Sequence, residues 1–405
     1  MENYVMTDVG LIPQSWKIEK LGDLGFFKNG INKDKDDFGF GYPMVNLNHV
    51  FSNFSINNSM SFDLVNANEN ERKNYALKKG DILFIRSSVK PEGVGLTSVV
   101  DYDLVDTTYS GFIIRFRLHK DYLVHKFKHY VFYENRFRHR LICKSSVSAN
   151  TNINQGALNS LKIPIPPKEE QKAIADCLST WDEAIEKQTK LIAAKEQRKK
   201  ALMQQLLSGK KRLPGFTEDW KEVSLGKLFS ERVETKREDL ELLSVGQQGV
   251  YPQTESNKRD ISNADKSKYK RIVPGDIGYN TMRMWQGRSA LSGLEGIVSP
   301  AYTILIPRDK VDSYFFSCLF KTKKLMHLFW RNSQGLVGDT LNCKYKDFSI
   351  IKISIPSFEE QQKISTMLKN QDNEIILMKK KLDFLLGQKK GIMQKLLTGK
   401  VRLIP

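Results

Sequence analysis

Two stretches of this chain repeat apolar residues at alternating spacings of four and three. The first runs through Ile174, Leu178, Trp181, Ile185, Gln188, Ile192, Lys195, Lys199, Leu202 and Leu206. The second runs through Ile364, Leu368, Gln371, Ile375, Met378, Leu382, Leu385, Lys389, Ile392 and Leu396. This spacing, held over about five heptads, predicts two long helices with a coiled-coil seam. Pro166-Pro167 and Pro356 precede them, with Glu169-Glu170 and Glu359-Glu360 in the first turns, where free N–H groups and the helix dipole favour proline and negative charge. Gly209 and Gly399 stand where a left-handed C-terminal cap is expected. At about 1.5 Å per residue, about 40 residues make a rod of roughly 60 Å. Such a rod has nothing in its own half of the chain to cover its seam. Packing of the two rods on each other, antiparallel and within one chain, would cover both and place the two halves at opposite ends. A coiled coil between two chains is the other way to cover them.

The two stretches belong to a longer repeat. Residues 166–213 align with 356–403 without a gap: Pro166-Pro167-Lys168-Glu169-Glu170-Gln171 matches Pro356-Ser357-Phe358-Glu359-Glu360-Gln361, and Met203-Gln204-Gln205-Leu206-Leu207-Ser208-Gly209-Lys210 matches Met393-Gln394-Lys395-Leu396-Leu397-Thr398-Gly399-Lys400. Trp16, Leu21 and Gly22 correspond to Trp220, Leu225 and Gly226. The repeat predicts an α+β chain in which two mixed α/β domains are each followed by a long helix. The boundaries are a first domain over 1–165, a helical spacer over 166–209, a second domain over 210–355 and a C-terminal helical spacer over 356–405.

The globular halves lack helical periodicity and read as short strands broken by Gly, Asn and Asp. Each carries a Gly-Asp pair opening a strand, Gly80-Asp81 before Ile82–Ile85 and Gly275-Asp276 before Ile277-Gly278-Tyr279-Asn280, a structural landmark by its recurrence. Beyond the landmark the two halves diverge, with Arg86, Ser87, Ser88 and Lys90 in the first and Asn280, Arg283, Gln286 and Arg288 in the second. Arg, Asn, Gln and Ser can make paired hydrogen bonds to base edges, while Lys contacts phosphate. Ordinary polar loops have the same composition. A further basic cluster, Arg136, Arg138 and Lys144 with Phe137 among them, suits phosphate contact or a solvated helix face. The Lys-rich ends of both long helices read equally as solvated faces or as surfaces for DNA or an acidic partner.

Charge adds direction. Sixty-four Lys and Arg against 46 Asp and Glu give +18, which favours polyanions, nucleic acid before an anionic membrane surface. Four scattered cysteines form no CxxC pair, arguing against a disulfide framework or a zinc site and for a reducing, cytoplasmic setting. The chain has no run of 18 apolar residues, so no membrane span is expected. It has no Asn-Pro-Pro-Tyr/Phe, no GxGxxG and no GxxxxGK[ST]. His125 and His129, four apart, lack a third ligand signal. Asp219-Trp220-Lys221 is like part of a nuclease signature, but its counterpart Ser15-Trp16-Lys17 has no carboxylate, so it reads as structural. No catalytic residue and no metal site are assigned.

The chain resembles the specificity subunit of type I restriction–modification enzymes. The resemblance rests on Ile-Pro-Ile-Pro-Pro-Lys-Glu-Glu-Gln at 163–171 and Ile-Ser-Ile-Pro-Ser-Phe-Glu-Glu-Gln at 353–361. The helix endings at 203–210 and 393–400 and the stretch Leu213-Pro214-Gly215-Phe216 before Trp220 belong to it too. Met282-Arg283-Met284-Trp285-Gln286-Gly287 with Gly296-Ile297-Val298-Ser299-Pro300-Ala301-Tyr302 is similar to a variant seen in such domains. The resemblance implies two target-recognition domains, each reading one part of a split double-stranded DNA sequence. It implies helices that set the gap and dock two methyltransferase subunits, with restriction/translocase subunits joining them. S-adenosylmethionine, ATP and Mg2+ would then sit on those partners and none on this chain. The family's tandem spacing repeats are not found around Gly209. A stand-alone DNA-binding regulator built from the same domains is the alternative. A self-sufficient nuclease or methylase is disfavoured by the missing motifs. Helix pairing is expected from Ile174, Leu178, Ile185, Ile192, Leu202, Ile364, Leu368, Ile375, Leu382, Leu385 and Leu396.

Overall fold

Both long helices form where the apolar period places them, over Lys168–Leu206 and Phe358–Leu397. They end at Gly209 (φ +72°) and Gly399 (φ +68°), whose left-handed conformation lets the following amides turn back to the last carbonyls. The computed structural model describes residues 3–246, 249–256, 262–335 and 341–403. The chain forms two compact units, Met1–Gln188 with Lys381–Pro405, and Thr189–Lys380. Each unit therefore holds one globular half, the start of the helix that follows it and the last part of the other helix.

That exchange makes the helix pair antiparallel within the chain. In the first unit Ile174, Ala175 and Leu178 share a core with Leu396 and Leu397, and Ile392 packs against it. In the second, Leu206 and Leu207 share a core with Ile364 and Leu368, and Leu202 packs against it. Ile192 and Ile375 are buried, while Ile185, Leu382 and Leu385 are half-buried. The polar seam positions carry ion pairs across the helices: Lys389 with Asp182 in the first unit, Lys199 with Asp372 and Lys195 with Glu374 (2.5 Å) in the second.

The Glu-Glu-Gln segments are the joints of this arrangement. In the first unit the Arg402 guanidinium donates to both oxygens of the buried Glu170 carboxylate (2.5 and 2.8 Å), and the Trp16 indole N–H donates to it as well (2.8 Å). In the second, Arg212 donates to both oxygens of buried Glu360 (2.8 and 2.7 Å) beside the Trp220 ring. Gln171 and Gln361 complete the joints. Each side-chain amide donates to a proline carbonyl before its helix, of Pro166 or Pro356, and accepts from a domain amide, of Val124 or Asp312. A charge-assisted, two-point bond in a buried setting fixes an angle as well as a distance.

Each half closes on itself in the same way. The strand before each long helix pairs antiparallel with a strand near the start of its domain, Lys162–Ile165 with Lys17–Lys20 and Lys352–Ile355 with Lys221–Ser224. The main sheets share one order. In the first half it is Gly25–Asn29, Ile113–Leu118, Ile82–Ile85, Thr97–Val100 and Ser55–Ile56; in the second it is Phe229–Glu231, Tyr302–Pro307, Ile277–Asn280 and Ser289–Leu291. Short helices pack phenylalanine-rich faces on these sheets, with Phe127, Phe132 and Phe137 in one core and Phe315, Phe316, Phe320 and Phe329 in the other.

Neighbouring isoleucines on the second long helix separate seam from surface: Ile375 is 7% exposed, Ile376 50%. Ile375→Asp should lower the thermal midpoint, costing about 2–5 kcal/mol for a buried side chain replaced by a charge. Ile376→Asp should stay within about 0.5 kcal/mol of the parent. Equal shifts in calorimetry would show that the seam does not hold the pair.

Candidate nucleic-acid interface

The Gly-Asp landmark explains how both halves present their divergent segments. Gly80 (φ +89°) and Gly275 (φ +97°) adopt the turn conformation that glycine tolerates. The following carboxylates accept from the amide three residues earlier, Asp81 from Lys78 (2.8 Å) and Asp276 from Val273 (3.0 Å). Each is then clamped by an arginine from elsewhere in its half: Arg117 on Asp81 (2.6 Å twice), and Arg232 on Asp276 (2.7 and 3.1 Å). The buried carboxylates push the pKa of both guanidinium groups up. The strand leaving this turn is the third in order in both sheets, and it carries the segments Arg86–Lys90 and Asn280–Arg288 at its far end.

In the first half the segment enters a small three-stranded sheet ordered Ser146–Val147, Thr151–Asn152, Ser87–Ser88. This brings the stretch after Lys144 alongside Arg86, Ser87, Ser88 and Lys90, residues distant in sequence. Lys90 and Lys144 are exposed, Arg86 is half-buried with a bond to the Gly111 carbonyl (3.2 Å), and Ser87 and Ser88 are buried. An open cleft of about 460 Å³ lies here, lined by Phe51, Ser88, Val89, Lys90, Phe112 and Asn150 among others. Phe51, Val89 and Phe112 expose 44–81% of their surface in it.

The arginines of the 136–140 cluster make bonds within the domain. Arg138 donates to the carbonyls of Glu92 (2.9 Å) and Val94 (2.6 Å), and so holds the Pro91–Gly93 turn directly after Lys90. Burial pushes its pKa down. Arg136 donates to the Leu11 carbonyl (3.4 Å), away from the cleft. Both guanidinium groups are engaged within the domain, Arg138 as a positioning residue for the Lys90 segment.

In the second half, Asn280 Oδ1 accepts from the Met282 amide (3.0 Å), Met284–Gln286 makes one tight helical turn, and Gly287 (φ +73°) closes it. Met284 is the buried anchor, Arg283 and Gln286 are exposed, and Asn280 and Arg288 are half-buried. The turn packs on the helix Lys323–Asn332, where His327 stacks on exposed Trp330 with ring centres 5.6 Å apart. Sequence reasoning passed over this helix, although Lys323, Lys324 and Arg331 flank its Trp. It also passed over the strand Phe38–Val45, where Phe38, Phe40 and Tyr42 are exposed and Arg72 lies 3.9 Å over the Tyr42 ring. Its signal was the alternation Phe38-Gly39-Phe40-Gly41-Tyr42.

The family described as the type I restriction modification DNA specificity domain matches residues 13–195 and 217–385. The chain belongs to this family. Family members are the non-catalytic specificity subunits of type I restriction–modification systems, and the enzymatic activities reside in partner subunits. This member is 28% identical over 436 residues to the MjaX specificity subunit of Methanocaldococcus jannaschii, by its name a type I restriction enzyme subunit. The match covers 99% of this chain and 97% of that one. The fold is similar to the crystal structure of the type I restriction–modification S subunit from M. genitalium, with TM-score 0.52, 18% identity and 94% and 96% of the two chains covered. It is also similar to a structure reported for complex assembly and conformational transition of the type I system, with TM-score 0.61, 15% identity and 96% and 99% coverage. No described helix is long and apolar enough to cross a membrane.

Lys90→Ala should weaken DNA binding with no change in thermal midpoint and reduce the salt slope by about 1, as for a lost phosphate contact. Arg138→Met should lower both affinity and stability, because it frees the turn that carries Lys90. Titrations at several salt concentrations, with melting curves, check both. A stable Arg138→Met protein with only a smaller salt slope would make Arg138 a direct phosphate contact.

Proposed function

We propose that each globular half of this specificity subunit reads one part of a bipartite double-stranded DNA target. The paired helices set the separation of the two parts and dock two methyltransferase subunits. The observation that carries the reading is that equivalent strands, leaving equivalent Gly-Asp turns, deliver unlike polar segments. One frame used twice with two different loops suits a target made of two different half-sites. Arg283 and Gln286 are the readers assigned to the second half-site, with Asn280 and Arg288 bracing the turn. Lys90 and Lys144, with Arg86, Ser87 and Ser88 behind them, serve the first. A net charge of +18 supplies sequence-independent attraction, and base-edge bonds add about 1–3 kcal/mol each of discrimination.

Partner docking, rather than action as a lone regulator, is favoured by the second long helix. Met367, Ile376, Leu377, Phe384 and Leu386 on it expose 38–64% of their surface. Apolar residues at such density on a helix already paired along its seam call for a further protein surface. Restriction/translocase subunits would join through the methyltransferases, and S-adenosylmethionine, ATP and Mg2+ would be bound by those partners. The complex would act in the cytoplasm, where its DNA is.

Two experiments test this. Arg283→Ala and Gln286→Ala complexes, assayed by mapping methylated adenines genome-wide, should relax the base preference of one half-site by about ten- to hundredfold and leave the other unchanged. Altered preference in both half-sites would sink the modular reading. Leu377→Asp with Phe384→Asp should abolish co-purification of the methyltransferase while DNA binding and thermal midpoint persist; retained co-purification would move the docking surface elsewhere.

A further inference from the structure

Away from the reading segments, three donor groups converge in the first unit. His125 and His129 lie one turn apart on the short helix His125–Val131, and Asp101 directly follows the strand Thr97–Val100. Nε2 of His125 is 2.8 Å, and Nε2 of His129 3.1 Å, from the same Asp101 oxygen, Oδ1. One donor atom from each residue lies within 4.8 Å of the others, and all three residues are half-buried. No other group of three or more His, Cys, Asp or Glu donors converges in this way among the described residues. The sequence offered two histidines without a third ligand; folding brings Asp101 to them.

The hydrogen bonds around this cluster point to a cation. Nδ1 of His129 is 3.0 Å from the Phe54 carbonyl, which can only accept. A neutral imidazole has a single N–H. With that proton on Phe54, Nε2 turns a lone pair toward the lone pairs of Asp101. A second ring proton or a shared cation resolves the conflict, and His125 points its Nε2 at the same oxygen. The other Asp101 oxygen is held by the Ser55 hydroxyl. A backbone carbonyl orienting a ligating imidazole, and a hydroxyl orienting a ligating carboxylate, are the outer contacts of a metal site.

We propose that Asp101, His125 and His129 bind a first-row divalent cation, Zn2+ foremost, with water completing its coordination. Two neutral imidazoles and a carboxylate are donors this class of ion accepts, at bond lengths of about 2.0–2.2 Å. Tetrahedral donors at that bond length stand about 3.4 Å from one another, so the two imidazole nitrogens, 2.8 and 3.1 Å from Asp101 Oδ1, need to open by only some tenths of an ångström to admit an ion. The ion would be a fastener. It would pin the short helix to the end of the strand beside Ile82–Ile85, and that helix also holds the Gly80 carbonyl through Lys128 (3.2 Å) and Asp182 of the long helix through Tyr130 (2.8 Å). Occupancy would therefore stiffen the Gly-Asp turn from which the first reading segment departs.

The test uses the full chain, stripped with a chelator and dialysed, then titrated with Zn2+ and separately with Co2+. The expected result is one ion per chain with visible d–d bands for Co2+. The thermal midpoint should rise by about 5 °C or more with Zn2+ at a hundredfold excess over Kd. His125→Gln with His129→Gln should lose the ion and the shift, whereas Cys143→Ser should keep both, which removes the Cys143–His139 pair (3.6 Å) as the source. If the double variant does not fold, X-ray absorption on the unaltered chain reads the ligands: two imidazoles and only light atoms support the site, and a sulfur ligand overturns it. Absence of saturable binding, or binding retained in a folded double variant, also overturns it and leaves an imidazolium–carboxylate pair.

Discussion

A helix of 39 residues with an apolar stripe cannot cover that stripe with its own side chains, and the fold answers this constraint. Each long helix begins on its own domain and ends on the other one, so each core is built from two distant parts of the chain. The arrangement holds only if the helix ends are fixed in angle as well as in place. Glu170 with Arg402 and Glu360 with Arg212 supply that fixing. Both carboxylates are almost fully buried, so leaving one without its arginine would strand a charge in a low-dielectric setting. The two-point guanidinium geometry makes the pairing directional. The tryptophans lean on these pairs, and the glycine caps lean on the tryptophans: a Cβ on Gly209 would sit 3.4 Å from the Trp220 ring.

With the frame determined in this way, the domains are free to differ in the segments proposed to meet DNA. Both use the same sheet order and the same arginine-clamped Asp turn, and diverge at the end of the strand that leaves it. The first half continues into a three-stranded sheet beside an apolar cleft, the second into a helical turn anchored by Met284. Stability resides in buried strands and phenylalanine clusters, and the proposed recognition segments lie at the ends of those strands. On the proposed reading, substitution of the exposed positions in these segments changes what is read without unfolding what reads it.

How far the sequence could be read depends on how local each signal is. The helices, their caps and the seam were legible because a period of 3.5 and a glycine at a helix end are properties of neighbouring residues. The polar gaps in the seam were legible as gaps only; that Lys199 and Lys389 face Asp372 and Asp182 depends on which stretch lies opposite. Arg136 and Arg138 show the limit. Their composition suits phosphate, yet Arg138 donates to the carbonyls of Glu92 and Val94 and Arg136 to that of Leu11, pairings no window of sequence contains. Trp330 was passed over because a lone aromatic on an amphipathic helix reads as core until its exposure is known.

The amino-acid sequence by itself determined the repeat, the two long helices, the mixed domains and the specificity-subunit resemblance. Each of these rests on residue order and spacing, which do not change on folding. The tertiary structure decided what depends on distant residues coming together. It chose pairing within one chain, tied each Glu-Glu-Gln segment to an arginine from the far end of the other helix, and turned Arg138 inward to hold the turn beside Lys90. It also brought Asp101 onto a pair of histidines that the sequence left without a third donor. Chain entropy opposes every such contact, and burial of the shared core helps to offset it, which no local stretch of sequence can do alone.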